Sequence, residues 1–211
     1  MRFPVATFLI PAIACGPGQA AIYHYDLGTT YQRKGQLDDA IAEYRQAIEF
    51  APDFAAAHSN LGIALRDKGQ LDEAIAEYRL AIEFDPNLAI ARNSFGNVLR
   101  DKGQLDEAIA EYRLAIELDR DYAMAHHNLG ISLDDKGQLD EAIAEYRQAI
   151  KLDPSFTGAH NSLGAALADK GQLEDAIAEF RKALALDPNH ALAQVNLEKT
   201  LGLLGVRTPE R

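Results

Sequence analysis

Residues 55–88 read AAAHSNLGIALRDKGQLDEAIAEYRLAIEFDPNL, and this stretch decides the fold. His58, Leu61, Gly62 and Leu65 are spaced three, one and three apart, which places them on one face of an α-helix. Gly69 supplies the left-handed residue that ends this helix. Leu71, Ala74, Ile75, Tyr78, Ala81 and Ile82 then form the apolar stripe of a second helix. Asp72 and Glu73 fall in its first turn, where the macrodipole favours carboxylates, and Pro86 stops it. Asn87 follows the proline, and its side chain is of the type that caps the next helix by accepting from an orphan backbone N–H.

Outward from this stretch, the same text returns. KGQL stands at Lys34–Leu37, Lys68–Leu71, Lys102–Leu105, Lys136–Leu139 and Lys170–Leu173, each copy 34 residues after the last. AIAE follows at a constant offset, from Ala40, Ala74, Ala108, Ala142 and Ala176. The capping place is held by Asp53, Asn87, Asp121, Ser155 and Asn189, so every unit is predicted to carry its own start and stop. Small residues recur too: Gly62, Ala74 and Ala81 return as Gly96, Ala108 and Ala115, then as Gly130, Ala142 and Ala149. Small side chains at fixed places let two helices approach closely. The expected fold class is therefore all-α, a serial array of helix pairs, in which neighbouring units bury each other's faces.

The pattern resembles the tetratricopeptide-repeat family over residues 21–190, in units 21–54, 55–88, 89–122, 123–156 and 157–190. The resemblance is carried by Leu27–Gly28, Leu61–Gly62, Phe95–Gly96, Leu129–Gly130 and Leu163–Gly164. The second part of the motif is Ala40/Tyr44, Ala74/Tyr78, Ala108/Tyr112, Ala142/Tyr146 and Ala176/Phe180. Two departures stand out. The first-helix aromatic is replaced by His24, His58, His126 and His160, and by Arg92 in the third unit. That unit also has Arg120 in place of the closing proline, which predicts a looser third repeat or a changed angle there. Residues 191–204 begin a sixth first helix, with Leu197 and Leu201 on its core side and Glu198 at the glycine's place, and this predicts a polar capping helix. Residues 205–211 read as a flexible tail.

The resemblance implies a right-handed α-α superhelical solenoid whose first helices line a concave groove that holds a peptide or partner protein. The first helices agree with such a role: their second, fifth, ninth and twelfth positions form a stripe opposite the core stripe, and that stripe varies between units. The candidate groove residues are Ser59, Ile63, Arg66 and Asp67; Asn93, Asn97, Arg100 and Asp101; His127, Ile131, Asp134 and Asp135; and Asn161 and Asp169. Two accounts of the variation stand, a ligand-reading surface and relaxed choice on a solvated face. Asp67, Asp101, Asp135 and Asp169 recur near the ends of successive first helices, against the helix dipole. They read either as an acidic ladder for a basic peptide or as inherited charges offset by Lys68, Lys102, Lys136 and Lys170 next door. Some family members clamp a chaperone's terminal carboxylate with lysine, asparagine and arginine. Here only Arg66 and Arg100 are cationic among the groove positions, which argues against that adaptor role.

Composition closes off other classes. The 211 residues carry 21 Lys plus Arg against 32 Asp plus Glu, a net charge of −11, which argues against a duplex-binding protein and is compatible with a basic or amphipathic partner. A glycine-rich phosphate loop, G-x-S-x-G and H-E-x-x-H are all missing from the sequence, so an enzyme is not expected and no cofactor is implied. The histidines, one per repeat, are expected some 10 Å apart, too far to share a metal whose ligands sit at about 2 Å, and no metal site is expected. They are expected to pack as neutral rings, which predicts lower stability below about pH 6.

Residues 1–20, MRFPVATFLIPAIACGPGQA, match no repeat. Arg2, the apolar run and Ala12-Ile13-Ala14 before Cys15 resemble a secretion signal, and with the cysteine a lipoprotein signal in which Cys15 is lipidated. On that reading the protein is exported, and membrane association comes only through Cys15; otherwise it is cytoplasmic. The rival reading keeps the segment as an apolar arm that covers the first repeat or enters a neighbouring copy, giving a homo-oligomer or head-to-tail filament. The single cysteine leaves no intrachain disulfide.

Overall fold

A computed structural model describes residues 16–205. The signal-like residues 1–14, Cys15 and the last six residues of the tail lie outside the described residues. Among the described residues every regular element is an α-helix. The first repeat is α1 (Pro17–Arg33) and α2 (Leu37–Phe50), and the second is α3 (Ala55–Asp67) and α4 (Leu71–Phe84). The third is α5 (Ala89–Asp101) and α6 (Leu105–Leu118), the fourth α7 (Ala123–Asp135) and α8 (Leu139–Leu152), the fifth α9 (Thr157–Asp169) and α10 (Leu173–Leu186). Helix α11 (Ala191–Leu203) stands alone after them. The helices gather into two compact units, residues 1–87 and 88–211. No described helix is long and apolar enough to cross a membrane.

Helix α1 begins at Pro17, so the last four residues of the 1–20 segment are helical, with proline at the first position where its missing N–H costs nothing. Ala20 and Ala21 are buried against α2. Each first helix ends on a glycine with positive φ, as at Gly69 (+77°) and Gly137 (+76°), and the chain reverses into the second helix.

The core of a repeat is a ring on a glycine. Tyr44, Tyr78, Tyr112, Tyr146 and Phe180 are fully buried, each lying over the glycine of its own first helix. A Cβ on Gly130 would sit 2.6 Å from the Tyr146 ring, closer than real Cβ contacts allow. This is why the Leu-Gly pair and the aromatic sixteen residues later recur together in the sequence.

One expectation is corrected. The residues after the proline do not cap the first helices. The caps fall one residue later, on Phe54, Leu88, Tyr122 and Phe156, without a side-chain hydrogen bond. Instead the aspartate before the proline accepts from the N–H two residues on: Asp85 from Asn87, Asp119 from Asp121, Asp153 from Ser155 and Asp187 from Asn189, at 2.9–3.1 Å. These are Asx turns, which fix the chain's direction while the bulky cap residue packs inward. Among the described residues only His190 caps with its side chain, accepting from Ala193.

The third repeat closes like the second without its proline. Its second helix ends with Asp119 at φ −138°, ψ 98°, against −136°, 93° for Asp85 before a proline, so the aspartate turn suffices without the ring. Helix α11 presents a mixed outer surface: Val195 and Leu203 are exposed beside exposed Gln194, Glu198 and Lys199, and Leu192 is exposed at the place Ile90 and Met124 hold on their helices.

Candidate functional site

Adjacent first helices touch within each unit: α1 with α3 in one, and α5 with α7, α7 with α9 and α9 with α11 in the other. Second helices of neighbouring repeats make no such contact among the described residues. They are joined through side-chain tips, Arg45 to Glu73 and Arg113 to Glu141. The first helices therefore form the tighter, continuous face in each unit, and that is the candidate site.

The face is pinned by hydrogen bonds between residues 35 apart. Asn60 donates to the Tyr25 hydroxyl (3.1 Å), Asn128 to Asn93 (3.0 Å) and Asn196 to Asn161 (3.1 Å), while His127 pairs with Ser162 (3.1 Å). The fifth position of one first helix thus bonds the sixth position of the next. This changes the reading of three candidate residues: Ser59, Asn93 and His127 are buried, and Asn93 and His127 are spent on their neighbours rather than offered to solvent. Asn161 is half-buried and also spent. The sixth-position residues Asn60, Asn128, Ser162 and Asn196 were missed as structural, though an Asn or Ser recurring every 34 residues beside the core leucine is the signal that finds them.

What remains open on the face is ordered by depth along each first helix. In residues 88–211 the N-terminal edge carries Ile90 (60% exposed) and Met124 (44%). The floor holds Asn97, Ile131, Arg100 and Asp134, all half-buried, and the C-terminal edge carries exposed Asp101, Asp135 and Asp169. In residues 1–87, Ile63 and Arg66 are half-buried and Asp67 is exposed.

Tyrosine hydroxyls of the second helices reach this floor from beneath. Tyr44 donates to Gln32 (2.7 Å) and Tyr112 to Asn97 (2.8 Å). Burial pushes the Tyr44 phenol up to about 12, with Tyr25 adding to the effect. Burial, then the charges of Asp169 and Asp135, hold Asp134 above the usual carboxylate range, against the hydrogen bond from Tyr146. Arg100 has one guanidinium nitrogen, Nη1, buried without a hydrogen-bond partner.

The lysines beside the acidic ladder do not offset it. Lys68, Lys136 and Lys170 turn back to pair with Asp38, Asp106 and Asp140 in the first turns of the preceding second helices. Asp135 and Asp169 keep no ion-pair partner among the described residues, and their charges are felt at Asp134.

The histidines also differ from expectation. His24, His58, His126 and His160 each place Nδ1 within 2.6–2.7 Å of Glu43, Glu77, Glu145 and Glu179. Arg92 makes the same link to Glu111 at 3.1 Å, so the third repeat's departure keeps the bridge and changes only its donor. At His58 burial favours the neutral ring, but the bonds to Glu77 and the Pro52 carbonyl outweigh it and raise its pKa. His127 is a packed ring held neutral. Burial, then Arg100, lower it to about 4, and it lies 4.7 Å from the Phe156 ring and 5.8 Å from Tyr146. No cluster of His, Cys, Asp or Glu among the described residues has the geometry to hold a metal.

This architecture of glycine-seated rings and paired first helices is matched by comparison. Family profiles described as tetratricopeptide repeat and TPR repeat match residues 25–89 and 127–191, and 96–134, respectively. The chain belongs to the tetratricopeptide-repeat family. Its fold class is the all-α repeat solenoid of that family. Among solved structures, the MamA protein is 29% identical with a TM-score of 0.69, over 82% of this chain and 95% of that one. YrrB, described as a TPR protein with an unusual peptide-binding site, is 26% identical with a TM-score of 0.65, over 83% and 90%. PilF of Pseudomonas aeruginosa, at 19% identity, shares the fold, with a TM-score of 0.83 over 92% of this chain and 88% of that one. No curated protein matches the sequence.

Proposed function

We propose that this tetratricopeptide-repeat chain is a non-enzymatic protein-interaction scaffold that holds a partner polypeptide against its first helices. The carrying observation is the face itself: first helices in direct contact, stitched beneath the surface, with unlike residues left open from repeat to repeat. The half-buried Ile131 and Arg100 and the exposed Met124 and Asp135 give it apolar and charged contacts together, the mixture that a specific interface uses. The described peptide-binding character of YrrB supports the reading. The test is site-specific photo-crosslinking from Ile131 on the first-helix face and from Arg147, exposed on α8. Partner capture from Ile131 and not from Arg147 is expected; the reverse pattern overturns the proposal.

A second reading rests on the ends. Val195 and Leu203 are 60% and 65% exposed on α11, and Ile22 and Tyr23 are 55% and 48% exposed on α1. Such apolar ends suit head-to-tail contact between copies. Light scattering that rises with concentration for the native chain, and stays monomeric for Val195→Asp/Leu203→Asp, is the result that favours it.

A further inference from the structure

We propose that the occupant of the first-helix face in residues 88–211 is an amphipathic α-helix with a basic row at seven-residue spacing along one flank. This deepens the scaffold reading above and rests on it. The face has two unlike edges. Ile90 and Met124 at the second positions are exposed apolar side chains, and Leu192 holds the same position on α11 at 66% exposure, with Gly158 between them. At the far edge Asp135 and Asp169 are exposed, and the lysines beside them are committed to Asp106 and Asp140 on the second helices. Asp134 lies between them, with its acidity already suppressed by burial and by those two charges. A cation placed there relieves that repulsion.

Dimensions choose the occupant. From the second to the thirteenth position of a first helix is eleven residues, about 16 Å at 1.5 Å per residue. A helix, about 10–12 Å across with its side chains, covers most of that width. An extended segment repeats on one side about every 6.6 or 13 Å, so its same-side residues miss the interval between neighbouring first helices. Neighbouring packed helices lie about 8–10 Å apart, so Asp135 and Asp169 repeat at about that interval. A helix advances about 10.5 Å in seven residues, so lysines or arginines at i and i+7 meet successive aspartates while leucine-type residues on the other flank meet Ile90 and Met124. The net charge of −11 favours encounter with such a segment but does not set its register.

The experiment is fluorescence anisotropy of the full chain with labelled synthetic peptides of eighteen to twenty residues. One peptide carries lysines at i, i+7 and i+14 beside a leucine flank. A second has the same composition with the lysines moved to five-residue spacing. A third replaces lysine by glutamate. A fourth carries a central proline. The first peptide is expected to bind best. Asp135→Asn/Asp169→Asn is expected to weaken it roughly twofold to thirtyfold, since each exposed pair is worth about 0.2–1 kcal/mol. Met124→Asp is expected to weaken it as well. Asp175→Asn, an exposed change on α10, is expected to leave it unchanged. Circular dichroism melts of each variant establish that the helices stay folded.

Equal binding of the first two peptides, or of the proline peptide, overturns the helical register. Binding that is indifferent to the double aspartate change overturns the basic row. The two proposals fail separately. If the helical peptides do not bind while Ile131 still crosslinks a partner, the occupant is wrong and the scaffold reading stands. If crosslinks map to Arg147, the face itself is wrong.

Discussion

Inside each repeat the two helices meet through one arrangement used five times, an aromatic ring laid on a glycine. Between repeats the first helices meet through polar pairs that vary: Tyr25 with Asn60, Asn93 with Asn128, His127 with Ser162, Asn161 with Asn196. The difference separates two tasks. The inner seam makes a stable helix pair and has a single good solution, because a ring that fills the glycine's hollow leaves no room for anything else. The outer seam joins near-identical units through a bond from the fifth position to the sixth whose residues vary, with an Asn–Asn pair at two of the four described junctions. Breaking the inner seam should be costly wherever it is done. Breaking an outer junction should cost an amount that depends on the pair.

The largest effect is expected from Tyr112→Ala, which empties the hollow over Gly96 and removes the bond to Asn97. A loss of about 3–5 kcal/mol is expected, read as the urea unfolding midpoint with its slope. Tyr146→Ala over Gly130 should fall in the same range. If the two differ widely, the inner seams are not equivalent.

At the outer seam the largest effect belongs to His127 and depends on pH. Its folded pKa of about 4 lies below the ordinary histidine value, so the unfolded chain takes up the proton first. The stability it contributes is complete above about pH 6.5 and is lost as pH falls toward 4, up to roughly 3 kcal/mol. His58 has the opposite sign. Its raised pKa means its contribution is complete below the ordinary histidine value and fades as pH rises through the folded one. Melting temperatures of wild type and His127→Gln from pH 7.5 to 4.5 isolate the first effect. The curves should converge on acidification, and parallel curves would remove His127 from the account.

The Asn93–Asn128 junction is next. Both residues are buried, and Asn93 also approaches the Tyr122 hydroxyl at 3.5 Å. Asn128→Ala leaves one polar group unsatisfied and should cost about 1–3 kcal/mol. Asn93→Leu/Asn128→Leu removes both partners and should cost less than the sum of its single changes. A double-mutant cycle in urea measures the coupling. A coupling near zero would make the junction a packing contact rather than a hydrogen-bonded one.

The sequence made the parts of the inner seam legible because they sit at fixed offsets and recur, so Gly62 and Tyr78 each stood out as core places from spacing alone, and the fold laid one on the other. The outer seam was harder to read because its two halves lie 35 residues apart and only one of them, the Asn or Ser of the sixth position, stays near constant. Position five therefore looked like a solvated, ligand-reading place when Asn93 and His127 are buried. The His–Glu bridges were hidden for a related reason: the Glu of AIAE reads as a helix-surface charge until the fold brings it within 2.7 Å of His58. The caps were misjudged by one residue because the sequence shows which side chains are able to cap, and the aspartate turn before them decides where the helix begins.

The smallest effect has the opposite direction. Ser132 is 0% exposed and its hydroxyl has no hydrogen-bond partner. The same place in the neighbouring repeats is Ala64, Val98 and Ala166, all buried and all apolar. A buried hydroxyl without a partner keeps its desolvation cost, and a helix-interior serine is also a weaker helix former than alanine. Ser132→Ala deletes one oxygen and leaves a methyl that the repeat already accommodates elsewhere. It should stabilise the chain by about 1 kcal/mol, visible as a raised urea midpoint with an unchanged slope. A destabilised variant would show that the hydroxyl is satisfied by a buried water or by a partner seated on α7, and would move Ser132 from the packing layer to the face that partners touch.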